Sequence, residues 1–230
     1  MGSIRPAAPG RLLLAGTLLV GTWLAACVRK PPVLIPPAGG VEAVEGFGSA
    51  AIAGAEASIK GKFGFVFRRP DLGRIEAVDP IGRTSFLILC RDGRAWFVLP
   101  RRKVYAEDEA AAVMERVLGL ALLPDEAIRL LSGTWGPGSD GEEGGWQVEA
   151  DERGRTVRGV HGDFAFTVRR HFPGAGVPRE IGVEGPGASG RVKVLKLGFN
   201  PPPRTGIFDV SFLRAYGLKT WDELLELLDR

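Results

Sequence analysis

Residues 58–68, SIKGKFGFVFR, alternate so regularly that a β-strand with one dry face is the structure that satisfies them. Ile59, Phe63, Phe65 and Phe67 share one parity, while Ser58, Lys60, Lys62 and Arg68 take the other. A period of two puts the two sets on opposite faces of a sheet. The rest of the chain must therefore supply a surface that covers a row of aromatic rings.

The flanking sequence continues in the same manner. Residues 72–79 and 83–91 read as a hairpin around Asp79-Pro80-Ile81-Gly82. Pro80 and Gly82 provide the turn chemistry, and Asp79 can cap the turn through its side chain. Arg83 follows with a charge, and Ile81 is left at the tip, facing water. Asp92-Gly93 is a two-residue hairpin signal leading into RAWFVL. From Val44 to Tyr105 the strands follow one another at the short, regular spacing of a barrel or sandwich.

The period then changes. Ala110, Val113, Met114, Val117 and Leu118 recur at helical spacing behind Glu107, Asp108 and Glu109, acids that suit a helix N-terminus, and the helix is predicted to stop at Gly119. A second helix is predicted from Pro124, with Asp125 and Glu126 in its first turn and Ala127, Ile128 and Leu131 on one side, ending by Gly133. Residues 135–145 have the composition of a mobile loop. Strands resume in GWQVEAD, DFAFTVRR, REIGVEG and GRVKVLKLGF. Thr220 and Glu223 form a capping box that predicts a last helix over 220–229, carrying Leu224, Leu225, Leu227 and Leu228. The expected fold is mainly β with an α lid: a half-open antiparallel β-barrel capped by short amphipathic helices. Rings and helical stripes of this kind also suit an ordinary filled core.

The N-terminus carries a different kind of signal. Arg5 and Arg11 precede the apolar run LLLAGTLLV, and Leu24-Ala25-Ala26-Cys27 closes it with small residues before a cysteine. The tetrad resembles the lipobox of bacterial lipoprotein signal peptides, which implies cleavage before Cys27 and lipidation of that residue. A plain signal peptide or a short anchor is the alternative. The expected organisation is a signal peptide at 1–26, a lipidated Cys and Pro/Gly-rich tether at 27–43, a half-barrel domain at 44–200, and a Pro-rich segment with a C-terminal helix at 201–230.

Composition narrows the chemistry. Of the 30 basic residues, Arg5 and Arg11 leave with the leader, against 27 acidic ones, so the exported chain is nearly neutral and carries no nucleic-acid footprint. With Cys27 lipidated, Cys90 has no partner in the chain, and its place in SFLILC predicts a buried small hydrophobe. His161, Asp163 and His171 have no Cys or Glu at metal-ligand spacing, and both histidines are expected at the surface near hairpin ends. Glu142 and Glu143 fall in the glycine-rich loop and read as a solvated tip rather than an acid/base pair. No nucleophile elbow, phosphate loop or dinucleotide fingerprint appears, so no cofactor and no enzymatic activity are expected.

The run from Asp79 to Trp135 resembles LolB, the outer-membrane lipoprotein receptor family. The similarity lies in the Asp-Pro-Ile-Gly turn, a strand, a Gly turn, Tyr105 followed by acids, a helix, Leu123-Pro124 opening a second helix, and the later Gly145-Trp146 strand. It covers roughly residues 45–197. It implies an outer-membrane protein, on the periplasmic face, whose apolar cavity receives acyl chains of lipoproteins or another lipid from a LolA-like periplasmic carrier. It also implies that Asp79, Pro80, Ile81 and Gly82 form a protruding loop whose aliphatic residue enters the bilayer. With that resemblance, the aromatic parity and the helical stripes predict a cavity lined by Phe63, Phe65, Phe67 and Trp96 and roofed by Val113, Met114, Val117, Ile128 and Leu131. The chain departs from the family in lacking a helix before the first strand, in having isoleucine in place of the usual leucine at the turn, and in its extension beyond Pro201. A lipidated scaffold for an outer-membrane assembly, or a carrier or sensor of another lipid, are the alternative functions.

Overall fold

Short turns bring successive strands back beside one another, and the computed structural model describes the result for residues 33–53, 58–135, 145–174 and 176–228. Cys27, the leader, the start of the tether and the loop carrying Glu142 and Glu143 lie outside the described residues. The N-terminal half contributes β1 (Ala43–Ala53), β2 (Ser58–Arg68), β3 (Leu72–Val78), β4 (Thr84–Arg91), β5 (Arg94–Leu99) and β6 (Val104–Glu109). Two helices follow, α1 (Ala110–Leu118) and α2 (Pro124–Ser132). The second half contributes β7 (Gln147–Ala150), β8 (Thr156–His161), β9 (Phe164–His171), β10 (Pro178–Gly185) and β11 (Ala188–Phe199). A 3-10 turn over Ser211–Ala215, a two-residue strand β12 (Gly217–Leu218) and α3 (Trp221–Leu228) complete the chain.

The described strands form one open sheet in the order β12-β6-β5-β4-β3-β2-β1-β11-β10-β9-β8-β7. All neighbours are antiparallel except β12 and β6, which are parallel. Because β1 pairs with β2 on one side and β11 on the other, it joins the two halves into a single curled surface. The ladder slips between Phe47 and Gly48 and again around Glu180, irregularities of the kind that sharpen curl. The sheet does not close on itself, and the helices lie against it, α2 on β1, β2 and β10 and α1 on β5 and β6. This is the half-open barrel with a helical lid expected from the alternation and the two stripes.

The helix ends follow from local chemistry. Gly119 and Gly133 both adopt the left-handed conformation, φ 67° and 70°, and their N–H groups donate back to Glu115 O and Leu130 O. At the start of α2 the N–H of Leu123 donates to Glu126 Oε2 at 2.8 Å. Asp125 then fastens the helix to the sheet through Arg69 of the β2–β3 turn, at 2.6 Å, while its other oxygen holds Arg129 at 2.7 Å. The acidic run ahead of α1 behaves differently from expectation. Glu107, Asp108 and Glu109 stay in β6, where Glu109 lies opposite Arg94 and Glu107 pairs with that arginine at 3.0 Å, so α1 begins at Ala110 without an acid in its first turn.

The core lies on the concave side. Phe65, Phe67, Ile75, Ile88, Phe97, Met114, Ile128, Phe166 and Val194 are among its buried members, all drawn from residues between Val41 and Leu224. The chain from Pro32 to Arg230 forms one compact unit by itself. Cys90 is buried in it, and desolvation pushes its thiol up to about 12, so it stays a protonated hydrophobe.

A second, smaller apolar cluster occupies the convex side. Leu87, Leu89, Val98 and Leu213 are buried there, with Trp96, Tyr105, Val210, Phe212 and Tyr216 packed around them. The segment after the three prolines therefore crosses the outer face of β4 to β6 before β12 joins the β6 edge. Gly217 N–H donates to Lys103 O and Lys219 N–H to Tyr105 O, both at 2.8 Å. The capping box of Thr220 and Glu223 then starts α3, whose Leu224 is fully buried.

Candidate functional site

Two glycines in β1 explain where the aromatic row of β2 lies. A Cβ at Gly46 would come within 2.4 Å of the Phe65 ring and one at Gly48 within 2.9 Å of Phe63, so both rings lie across β1 where only glycine leaves room. Successive rings of Phe63, Phe65 and Phe67 are 5.9 Å apart, tilted by 39° and 31°. They form one wall of a cavity of about 360 Å³ that opens at one end. Ile75 and Ala77 of β3, Ile181 and Val183 of β10, and Val192 and Val194 of β11 extend that wall. Met114 and Val117 of α1 and Ala127, Leu130 and Leu131 of α2 form the roof. The volume falls at the lower end of the roughly 300–1,000 Å³ typical of ligand pockets.

The open end is where β2 begins, β3 ends and β4 begins. Lys60, Gly61, Lys62, Val78, Ser85 and Phe86 line it, together with Arg116 of α1 and Trp221 and Leu225 of α3. Trp221 stacks between neighbours of both kinds: its ring is 5.7 Å from that of Phe97 and lies under the Arg116 guanidinium at 5.4 Å. The turn from Asp79 to Arg83 projects from the same end of the sheet. Asp79 Oδ1 accepts from the N–H groups of Ile81 and Arg83 at 3.0 and 2.9 Å, and Oδ2 accepts from Arg83 Nε at 2.9 Å. These bonds, with those of the Arg83 backbone first among them, hold the Asp79 carboxyl below its ordinary value. The rigid turn presents Ile81 to solvent, 71% exposed.

Three residues placed by the sequence at this cavity lie elsewhere. Trp96 points to the convex side and packs with Tyr105 under the segment around Leu213, because its neighbours Ala95 and Phe97 take the inward parity of β5. The inward aromatic is Phe97, 5.2 Å from Phe86. Val113 and Ile128 are fully buried in the core but do not reach the cavity wall. Phe86, Phe97 and Trp221 were missed. Phe86 and Phe97 sit in strands that are apolar on both faces, where parity carries no signal.

The histidines are less exposed than their hairpin positions suggest. His171 Nε2 hydrogen-bonds Thr156 O at 3.0 Å, and His161 lies against Trp146, ring centres 5.4 Å apart. Nearby, burial raises the Glu126 carboxyl above its ordinary value, opposed by its bond to Leu123 and by His161 and Trp146. No group of three or more metal-ligating side chains occurs among the described residues, and no helix there is long and apolar enough to cross a membrane.

The fold and the site define an open β half-barrel that encloses an apolar pocket under a helical lid. No protein-family profile and no curated protein matches the chain. Among solved structures it is similar to a DUF1329 family protein from Desulfovibrio piger, with 12% identity and a TM-score of 0.48 over 75% of this chain and 92% of that one. It is also similar to a LolA superfamily protein from Nitrosomonas europaea, with 10% identity and a TM-score of 0.46 over 70% and 88%. A domain from Vibrio parahaemolyticus named for outer-membrane lipoprotein sorting gives 12%, 0.49, and 76% and 92%. Likenesses of this degree say nothing about activity.

Proposed function

We propose that this chain is a lipid-anchored protein of the outer membrane that takes acyl chains into its apolar cavity and releases them to the bilayer, in the manner of the LolB receptors its sequence resembles. The observation that carries the reading is the juxtaposition at one end of the sheet: an open apolar cavity and, beside it, a stiff turn with a bare isoleucine. Cys27 supplies the anchor, since acyl chains at about 0.8 kcal/mol per buried methylene hold a membrane far more firmly than one side chain. Ile81 supplies roughly 1.5–3 kcal/mol in hydrocarbon, too little to anchor but enough to orient the mouth toward the bilayer. The cargo is a lipoprotein or another acylated lipid delivered by a LolA-like periplasmic carrier, and no covalent chemistry is involved.

Residues 32–230, purified without the anchor and extracted for mass spectrometry, are expected to carry acyl lipid and to bind an uncharged acyl fluorophore. A well-folded sample that binds no acyl probe at micromolar concentration overturns the reading in favour of a scaffold. Cys27→Ala is expected to release the protein from the outer membrane; retention there after high-salt and carbonate washes overturns the anchor.

A further inference from the structure

Among the described residues, the charged side chains on the cavity wall are all of one sign: Lys60, Lys62 and Arg116 line it, all at the mouth, with no aspartate or glutamate beside them. A shallow groove of about 440 Å³ adjoins it on the outer face and shares Ala50, Lys60, Gly61 and Lys62 with it. The register explains the groove. Lys62 stands opposite Ser49, Ser49 opposite Lys193, Lys193 opposite Glu180, and Glu180 opposite Arg170, so small β1 residues form a floor between rows of cations. Arg191 completes the set, and the one carboxylate among the described lining residues is already engaged: Glu180 pairs with Arg170 at 2.9 Å and with Arg191 at 3.5 Å.

Lys60 and Lys62 are exposed on the same face, two residues apart, and neither has an ion-pair partner among the described residues. Gly61 between them has the inward parity of Phe63, and a Cβ there would meet only Val78 O, at 3.7 Å. The β1 ladder runs unbroken past Gly61, but β3 pairs with β2 only from Lys62 onward, so the β3-facing edge of β2 is open at Lys60 and Gly61, and cavity and groove both reach these residues.

We propose that the cavity is built for an acidic amphiphile, whose acyl chain lies along Phe63 and Phe65 while its carboxylate or phosphate head sits at the mouth on Lys60 and Lys62. The inference rests on the acyl-binding reading above and specifies the head that reading leaves open. An apolar cavity ending in Lys60 and Lys62 favours such a molecule over a neutral one by the strength of two partly exposed ion pairs, roughly five- to tenfold in affinity.

The test uses residues 32–230 carrying an uncharged acyl fluorophore, displaced by palmitate, palmityl phosphate, palmityl alcohol or palmityl trimethylammonium, each below its micelle concentration. Both anions are expected to displace the probe at roughly five- to tenfold lower concentration than the alcohol, with the ammonium weakest. In Lys60→Gln/Lys62→Gln, whose exposed side chains make no contact needed for folding, the anions fall to the level of the alcohol while the alcohol is unchanged. Equal displacement by all four heads, or an anion preference that survives the double substitution, overturns the acidic head and leaves the acyl cavity standing. Displacement of palmitate by inorganic phosphate at similar concentration also overturns it, by making the mouth a free-anion site. Failure of every amphiphile overturns this proposal together with the acyl-binding reading.

Discussion

Arg83 closes on Asp79 with its Nε 2.9 Å from Oδ2, and the same arrangement recurs between Arg155 and Asp151 at the β7–β8 hairpin. In both, one carboxylate oxygen takes the N–H groups two and four residues on, and a glycine at the fourth position has positive φ, 82° at Gly82 and 72° at Gly154. The two D-x-x-G-R turns share a frame and differ in cargo: the third position is Ile81 in one and Arg153 in the other. Ile81 is thus a choice of side chain on a turn that folds without it.

Substitution there is expected to separate folding from membrane work. Ile81→Glu leaves the melting temperature and acyl-probe binding near wild type, since exposed changes stay within about ±0.5 kcal/mol. It impairs release of bound lipid into liposomes, because a carboxylate opposes entry into hydrocarbon and anionic headgroups, and Ile81→Leu does neither. A Tm loss of many degrees, or undiminished transfer, rejects the wedge.

The Asp151 turn gives an acid limb to stability. Its carboxyl is held at about 2, first by the Arg155 side chain and then by the Arg155 backbone, against an ordinary 3.8. A lowered native value means the contribution is complete above 3.8 and is lost as pH falls toward 2. Amide exchange at Arg153 and Arg155, measured relative to the intrinsic rate at each pH, should lose protection across that window in the wild type, while Asp151→Asn is less protected above it and shows no step.

Glu126 acts in the opposite sense. Its native value is raised above 4.5, so in the window above 4.5 the folded chain binds the extra proton, and stability falls as pH rises through the raised value. Glu126→Gln keeps an acceptor for the Leu123 N–H and removes the buried charge. Urea midpoints from about pH 4 to about pH 8 should show a smaller decline in the variant, with higher stability than wild type at the neutral end.

Trp96 and Phe97 are adjacent in sequence and on opposite faces, which makes them a paired control. Phe97→Ala should cost about 3–5 kcal/mol and change acyl-probe binding at the cavity wall. Trp96→Ala should cost about 1–3 kcal/mol and leave probe affinity unchanged, measured by fluorescence titration on samples with matched folded fractions.

Gly61→Phe is expected to close the mouth without strain, since the backbone there is ordinary strand and the nearest atom to a new Cβ is at 3.7 Å. Melting temperature holds or rises slightly, as removal of a strand glycine gains about 0.5–1 kcal/mol. Uptake of the acyl probe slows or stops in stopped-flow mixing.

Much of the architecture is legible wherever a single residue has a single reason. Gly119 and Gly133 end helices because nothing else at those positions tolerates left-handed backbone. Phe63, Phe65 and Phe67 declare a face because lysines hold the other parity. Strand β8 is not legible, since Gly159 and Arg158 interrupt its pattern. The reason for that glycine lies on the next strand, whose Phe166 ring would sit 2.3 Å from any Cβ there. Trp96 is misassigned for a related cause: β5 is covered on both sides, and its second cover, Leu213 and Phe212, comes from more than a hundred residues away. Trp221 and Leu225 at the mouth depend on the same distant wrap.

That wrap has one more effect. An open sheet ends in strands whose free N–H and C=O groups can recruit a strand from another molecule. Here Gly217 and Lys219 occupy the free edge of β6 at Lys103 and Tyr105. The opposite edge is only the four residues of β7, with Gln147 and Glu149 exposed on it. Chain-to-chain strand addition would polymerise such a sheet, but among the described residues β12 covers the start of β6 and leaves only residues 106–109 open, while β7 offers four residues, so neither edge is a long one at which growth could start.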